Sequence, residues 1–288
     1  MSISSALGER KEATVPQGTI SYRERGSGEP IVFIHGLLVN GDLWRKVVPE
    51  LSKDYRCIVP DLPLGSHERA MNEDADLSPY GVAKLIDDFL AALDLRDVTL
   101  VGNDTGGAFC QIVVTRHPDR IGRLVLTPCD AYENFPPRLF KYMLAPAKVP
   151  LLTLAMMQPM RLAVMRHSAL GFGLLVKNGF DAEVTDGWMG PALRDAGVRR
   201  DLAKVLRGIH PRYTLEAAEH LGEFARPVLL VWAPEKDFFP FEHAQRLAQT
   251  FPDARVERVD DSYTFVSEDQ PERVAALIGD FARRPVAA

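Results

Sequence analysis

The chain has 288 residues, 46% hydrophobic and 25% charged, with a formal charge of −5. That length and composition fit one large α/β domain, or one domain with an inserted lobe, and exclude the disordered and fibrous classes. The acidic balance, without a Lys/Arg block or basic-aromatic cluster, gives no reason to expect a nucleic-acid partner.

The first half alternates short apolar runs with helical patterns. "TISYRERG" (19–26) reads as a strand that stops at Gly26, and "PIVFIHG" (30–36) as a short apolar strand ending in His-Gly. "DLWRKVVPELSK" (42–53) has helical spacing, with Asp42 as candidate N-cap. "YRCIVPDLP" (55–63) is the next strand. "SPYGVAKLIDDFLAALDL" (78–95) is an amphipathic helix with Ser78 at its cap and Pro79 at its first position. "DVTLVGND" (97–104) reads as a strand, "TGGAFCQIVVTRHPD" (105–119) as a helix and "IGRLVLTPC" (121–129) as a strand. From about Tyr132 to about Arg212 the chain is rich in Pro, Gly and Met and has no strand-like run. The rhythm then returns: strand "RPVLLVWA" (226–233), helix "PFEHAQRLAQTF" (240–251), strand "ARVERVDD" (254–261) and helix "QPERVAALIGDFARR" (270–284).

Short apolar strands alternating with helices predict an α/β fold with a mostly parallel central sheet covered on both faces. The expected organisation is a discontinuous core, 1–131 and 213–288, with a helical cap at 132–212. Cys57, Cys110 and Cys129 form no CxxC pair and sit in or beside apolar runs, so they are expected as buried free thiols of a reducing compartment. The start "MSISSALGERKEAT" lacks an apolar signal core. The apolar stretch "LAPAKVPLLTLAMMQPM" holds Lys148 and three prolines, against a membrane span. The expectation is a cytoplasmic protein with no membrane partner, no metal and no cofactor. Its oligomeric state is left open.

One turn stands out. "VGNDTGGAFC" (101–110) takes a strand through Gly102-Asn103-Asp104-Thr105-Gly106 into a helix. Such a turn strains the backbone of its central residue and needs small neighbours, which Gly102 and Gly106 supply. The Asp104 side chain then projects beyond the carboxyl end of the sheet, near helix N–H groups that favour negative charge. His35-Gly36 follows the first core strand, so the Leu37 and Thr105 amides are candidates to face a developing oxyanion. Asp237 follows the strand at 226–233, and "EDQP" (268–271) precedes the last helix.

These motifs, in this order, resemble the α/β-hydrolase superfamily, and within it the haloalkane dehalogenase and epoxide hydrolase branch. The resemblance covers roughly residues 18–131 and 213–285 and is weak in the cap. It implies Asp104 as nucleophile, attacking carbon to form an alkyl ester, and Asp237 as the acid that orients a water-activating histidine. That histidine normally stands seven places before the proline of the "EDxP" segment, here Pro271. The position is Thr264, whose hydroxyl has no pKa near neutrality. Loss of a positioned base costs on the order of 10²–10⁴ in rate. The neighbouring Asp261, Ser262 and Tyr263 depart from the family pattern too, which reads as a native difference. So do Thr105 and Leu37, where dehalogenases place the tryptophan and asparagine that hold a halide. Epoxide hydrolases have His-Gly-x-Pro where this chain reads His-Gly-Leu-Leu.

Two residues are candidates to stand in for the histidine. Asp130, after the strand at 121–127, is placed to form a carboxylate pair with Asp104 or Asp237 that holds a proton near neutral pH. His67, on the loop after the strand at 55–60, is a candidate base or substrate contact. His117, His167, His210, His220 and His243 read as structural. Met143, Met156, Met157, Met160 and Met165 either line an adaptable apolar pocket or pack the cap itself. Trp188 is a candidate for closing the pocket. The leading expectation is a hydrolase of a small apolar substrate of epoxide, halide or ester type. The alternatives are an isomerase, lyase or cyclase using Asp104 with Asp130 or Asp237, and an inactive hydrolase-like binding protein.

Overall fold

The computed structural model describes residues 4–235 and 238–284. Eight strands form one sheet: β1 Glu9–Val15, β2 Gly18–Arg25, β3 Pro30–Ile34, β4 Arg56–Pro60, β5 Val98–Asp104, β6 Ile121–Cys129, β7 Val228–Trp232 and β8 Ala254–Arg258. Their spatial order is β1-β2-β4-β3-β5-β6-β7-β8. The pairs β1/β2 and β2/β4 are antiparallel and the rest parallel.

The central strands are apolar on both faces because both faces are covered. Every residue of β6 and β7 is buried. Helices Pro79–Ala92, Thr105–Arg116 and Pro211–His220 pack on one another, and Pro271–Ala282 packs on Val48–Leu51, as in a parallel sheet with helices on its faces. Ser78 caps the first of these helices through the Gly81 N–H, with Pro79 at N1, as the sequence predicts.

Two expectations need correction. Strand β1 is absent from the sequence reading; it is a charged edge strand whose only buried residues are Ala13 and Val15. The helix expected over 42–53 is instead a 3-10 turn, Gly41–Trp44, and a short α-helix, Val48–Leu51. Asn40 caps the turn, accepting from the Asp42 N–H at 3.0 Å, in place of Asp42. The apolar residues here do not form one stripe: Leu43, Trp44, Val47 and Val48 are all fully buried, and packing from several sides replaces a continuous helix. Cys57, Cys110 and Cys129 are buried and free.

Between β6 and β7 the described chain is helical, apart from an isolated bridge between Ala131 and Asn134. Its longest helices are Pro150–Met157, Ala182–Arg194, Ala196–Gly208 and Pro211–His220. Polar contacts tie it to the core. Ser66 Oγ donates to the Trp188 carbonyl at 2.7 Å, and the Asp269 carboxylate accepts from the Lys177, Asn178 and Tyr263 amides, each at 3.0 Å. Among the described residues no helix is long and apolar enough to cross a membrane.

Candidate active site

Asp104 ends β5 and opens helix Thr105–Arg116 with φ 53° and ψ −134°, the left-handed backbone expected of a sharp strand-to-helix turn. The turn fits because its neighbours lack side chains. A Cβ on Gly106 would strike the His35 carbonyl, and one on Gly36 would strike the Asp104 carboxylate. Gly36 therefore lets the loop after β3 lie directly against the acid. His35 holds that loop: its Nε2 accepts from the Leu62 N–H at 2.9 Å, and Nδ1 donates to the Gly36 carbonyl at 2.8 Å. Burial pushes His35 down to about 4, so it is a neutral structural bracket.

The Leu37 and Thr105 amides lie against the Asp104 carboxylate and favour its ionised form. Burial works the other way and prevails, raising Asp104 from 3.8 to about 7. Asp130 stands at the end of neighbouring strand β6. It is fully buried, and its Oδ1 has no partner among the described residues. Its Oδ2 lies 3.2 Å from Thr105 Oγ1. Burial and the nearby Asp104 charge hold Asp130 well above the usual carboxylate range. Two acids in one low-dielectric region cannot both ionise cheaply, so at neutral pH the pair retains a proton on Asp130.

Thr264 is buried beside this turn. Its carbonyl accepts from Asn103 Nδ2 at 3.0 Å, and the same amide donates to Thr127 Oγ1 at 2.8 Å. The "EDQP" acids brace its loop: Asp269 gathers the amides described above, and Glu268 pairs with Arg45. The structure thus brings Asp104, Leu37, Thr105, Asp130 and the 264 loop together. Asp237 lies outside the described residues.

A cavity of about 260 Å³ opens above Asp104. Its wall carries Met143, Met156, Met157, Met160 and Met165, which favours the pocket over packing alone, and Met189 joins them. Among the described residues its polar side chains are Asp104, Thr105 and Tyr142. Trp188 is not in the wall; fully buried, it packs behind Phe172, which is.

None of the seven histidines lines the cavity. His67 is buried with Nε2 3.2 Å from Asp201 Oδ2, joining the loop after β4 to helix Ala196–Gly208. Asp201 also accepts from the Met71 N–H at 2.7 Å. No sequence pattern links His67 to an acid so distant in the chain. His210 caps a helix, accepting from the Arg212 N–H at 3.1 Å, and His220 pairs with Glu223 at 2.8 Å. Among the described residues, no cluster of three His, Cys, Asp or Glu side chains is placed to hold a metal ion.

A family model described as the α/β hydrolase fold matches residues 29–271. Haloalkane dehalogenase 2 of Mycobacterium tuberculosis is 27% identical over 281 residues, spanning 91% of each chain. A haloalkane dehalogenase of Mesorhizobium japonicum is 33% identical over 132 residues, covering 44% of this chain and 42% of that protein. Among solved structures, haloalkane dehalogenase DatA from Agrobacterium tumefaciens C58 superposes with a TM-score of 0.81 at 22% identity, covering 98% of this chain and 99% of that one. By sequence over most of its length and by architecture alike, this chain belongs to the α/β hydrolase fold family, near its haloalkane dehalogenase branch, and is a hydrolase-type enzyme.

Proposed function

We propose that the enzyme hydrolyses a small, apolar, electrophilic molecule through a covalent ester on Asp104. An Asp104 oxygen attacks carbon, the bond to the leaving group breaks, and its electron pair departs with that group. Water then adds to the Asp104 carbonyl carbon. Water gives up one proton to solvent as negative charge develops against the Leu37 and Thr105 amides; cleavage of the acyl carbon–oxygen bond then returns the carboxylate, and the second water proton leaves on the alcohol. The carrying observation is the seat of Asp104: a half-buried acid at an apolar cavity, with the Leu37 and Thr105 amides already against its carboxylate. In this reading Thr264 takes the place of the water-activating histidine, Asp237 has no histidine to orient, and the ester accumulates. The division into core, 1–131 and 213–288, and cap, 132–212, is part of the same proposal.

The cavity wall narrows the leaving group. A departing halide needs N–H or O–H donors, and among the described residues the lining side chains offer only the Thr105 and Tyr142 hydroxyls. An epoxide keeps its oxygen attached and needs one proton. Burial raises the Tyr142 pKa and keeps its phenol protonated; its O–H now donates to the Leu170 carbonyl at 3.0 Å. An epoxide therefore fits better than an alkyl halide. Intact-mass analysis after incubation with a panel of epoxides, alkyl halides and esters tests this. The wild type should gain the mass of an epoxide, and Asp104→Asn should not. Neither adduct nor turnover across the panel contradicts the proposal.

The protonated Asp130, whose Oδ1 has no partner among the described residues, supports a second reading. Thr105 Oγ1 donates to Asp130 Oδ2; with the proton on Oδ2 that bond reverses, Asp130 donating to Thr105 Oγ1 and the threonine proton turning to the cavity. Asp130 would then supply a proton while Asp104 withdraws one, the pair that an isomerase, lyase or cyclase needs without histidine. Deuterium in recovered substrate without net hydrolysis supports this reading. Hydrolysis that survives Asp130→Asn contradicts it.

A further inference from the structure

Residues 134–180 contain six Lys or Arg and no Asp or Glu, in a chain of formal charge −5. Two of these cations are neutralised: Arg166 by Asp186, and Lys177 by Glu235 and Asp261. Arg138, Lys141, Lys148 and Arg161 are exposed and form no ion pair among the described residues; Arg161 Nε donates only to the neutral Gln158. Seven of the eight exposed large hydrophobic side chains among the described residues lie between 139 and 170, interleaved with these cations. Val164 is 73% exposed and Leu162 60%. Single exposed aliphatics are ordinary, but such a concentration marks an interaction surface.

The same short helices form the cavity wall. Helix Pro150–Met157 exposes Leu152 and lines the cavity with Met156 and Met157; helix Ala163–Arg166 exposes Val164 and lines it with Met165. Tyr142 and Leu170, joined by a hydrogen bond, belong to both the exposed set and the wall. The apolar, basic face is therefore continuous with the cavity.

We propose that this face docks onto an anionic lipid bilayer, turning the cavity toward the interface so that an apolar substrate enters from the membrane. Exposed aliphatic side chains interleaved with unpaired cations match an interfacial surface: the apolar groups enter the headgroup–acyl boundary and the cations meet anionic headgroups. A second copy fits poorly, since a two-fold contact would set unpaired cations against their own equivalents. The docking departs from the expectation of no membrane partner, which rested on the lack of a span. It does not depend on the chemistry assigned to Asp104.

Flotation of the full chain with vesicles tests it, using phosphatidylcholine alone and phosphatidylcholine with about one-third phosphatidylglycerol. The protein should float with the anionic vesicles at low salt, come off as ionic strength rises, and stay unbound with neutral ones. At about fivefold per cation, Lys141→Gln with Lys148→Gln should weaken partition on the order of thirtyfold. Leu162→Asn with Val164→Asn should weaken it roughly tenfold or more, with an unchanged thermal midpoint. Asp104→Asn should float as wild type does, so failure here is distinct from failure of the proposed chemistry. Absence of flotation, equal flotation with both vesicles, or indifference to both double variants overturns the proposal. So does a dimer that Leu162→Asn with Val164→Asn dissociates, if the wild type does not float.

Discussion

Asp104→Asn should stabilise the fold, and increasingly so as pH rises. Burial lifts the Asp104 carboxyl from 3.8 to about 7. Between those values the folded chain keeps a proton that the unfolded chain has lost, so this group's contribution is most favourable below the unfolded pKa and is lost as pH climbs through the folded one. The gap, at about 1.4 kcal/mol per tenfold in proton affinity, amounts to roughly 4 kcal/mol for burying the ionised acid. The Leu37 and Thr105 amides are already counted in that balance. Asparagine keeps the shape and carries no charge. With roughly 2 cal/mol/K of unfolding entropy per residue, 4 kcal/mol corresponds to about 7 °C in Tm for a chain of this size. Circular-dichroism melts of both proteins from about pH 4 to about pH 9 provide the assay. The two Tm profiles should approach one another near the acid end, separate between about pH 4 and about pH 7, and run parallel above that. A constant offset across the range, or a variant less stable than wild type at the alkaline end, would refute the reasoning.

Three further outcomes follow from the same geometry. If ionised Asp104 is the reacting form, kcat/KM rises with pH through about 7 and then levels; a steady fall over that range in a pH–rate profile opposes it. Gly36→Ala drives a methyl group into the Asp104 carboxylate and should lower turnover on the order of 100-fold by displacing it from the Leu37 and Thr105 amides; wild-type rates would show that their alignment is immaterial. His67→Gln removes the contact to Asp201 and should cost roughly 1–3 kcal/mol in denaturant unfolding with kcat and KM preserved. Lost turnover at unchanged stability would return His67 to the chemistry.

The parts of the fold legible in the sequence are those where burial on both faces forces an unambiguous pattern. Strands β3 to β7 are nearly continuous apolar runs, and Ser78-Pro79 announces its helix without tertiary help. Strand β1 escapes notice because an edge strand exposes most of its side chains, and charge there guards the edge. The 42–53 segment misleads because apolar spacing does not separate one helical stripe from residues buried on several sides. At the site, the glycine-flanked Asp104 and the His35-Gly36 loop were readable because each depends on local backbone geometry. The seat of Asp130 was not: burial and an unsatisfied Oδ1 arise from packing between distant segments. The methionine run was ambiguous for a related reason. The same apolar side chains serve a packed lobe or a cavity wall, and only their arrangement decides.

The central claim is that Asp104 itself bonds to substrate carbon. A single turnover of an epoxide in heavy-oxygen water, followed by digestion and mass analysis of the peptide carrying Asp104, tests it most directly. Attack by the carboxylate hands one of its own oxygens to the product, so the account predicts the heavy oxygen in Asp104 and ordinary oxygen in the first product. Heavy oxygen in the product, with Asp104 unlabelled, would mean that water attacks the substrate directly and would contradict the covalent mechanism.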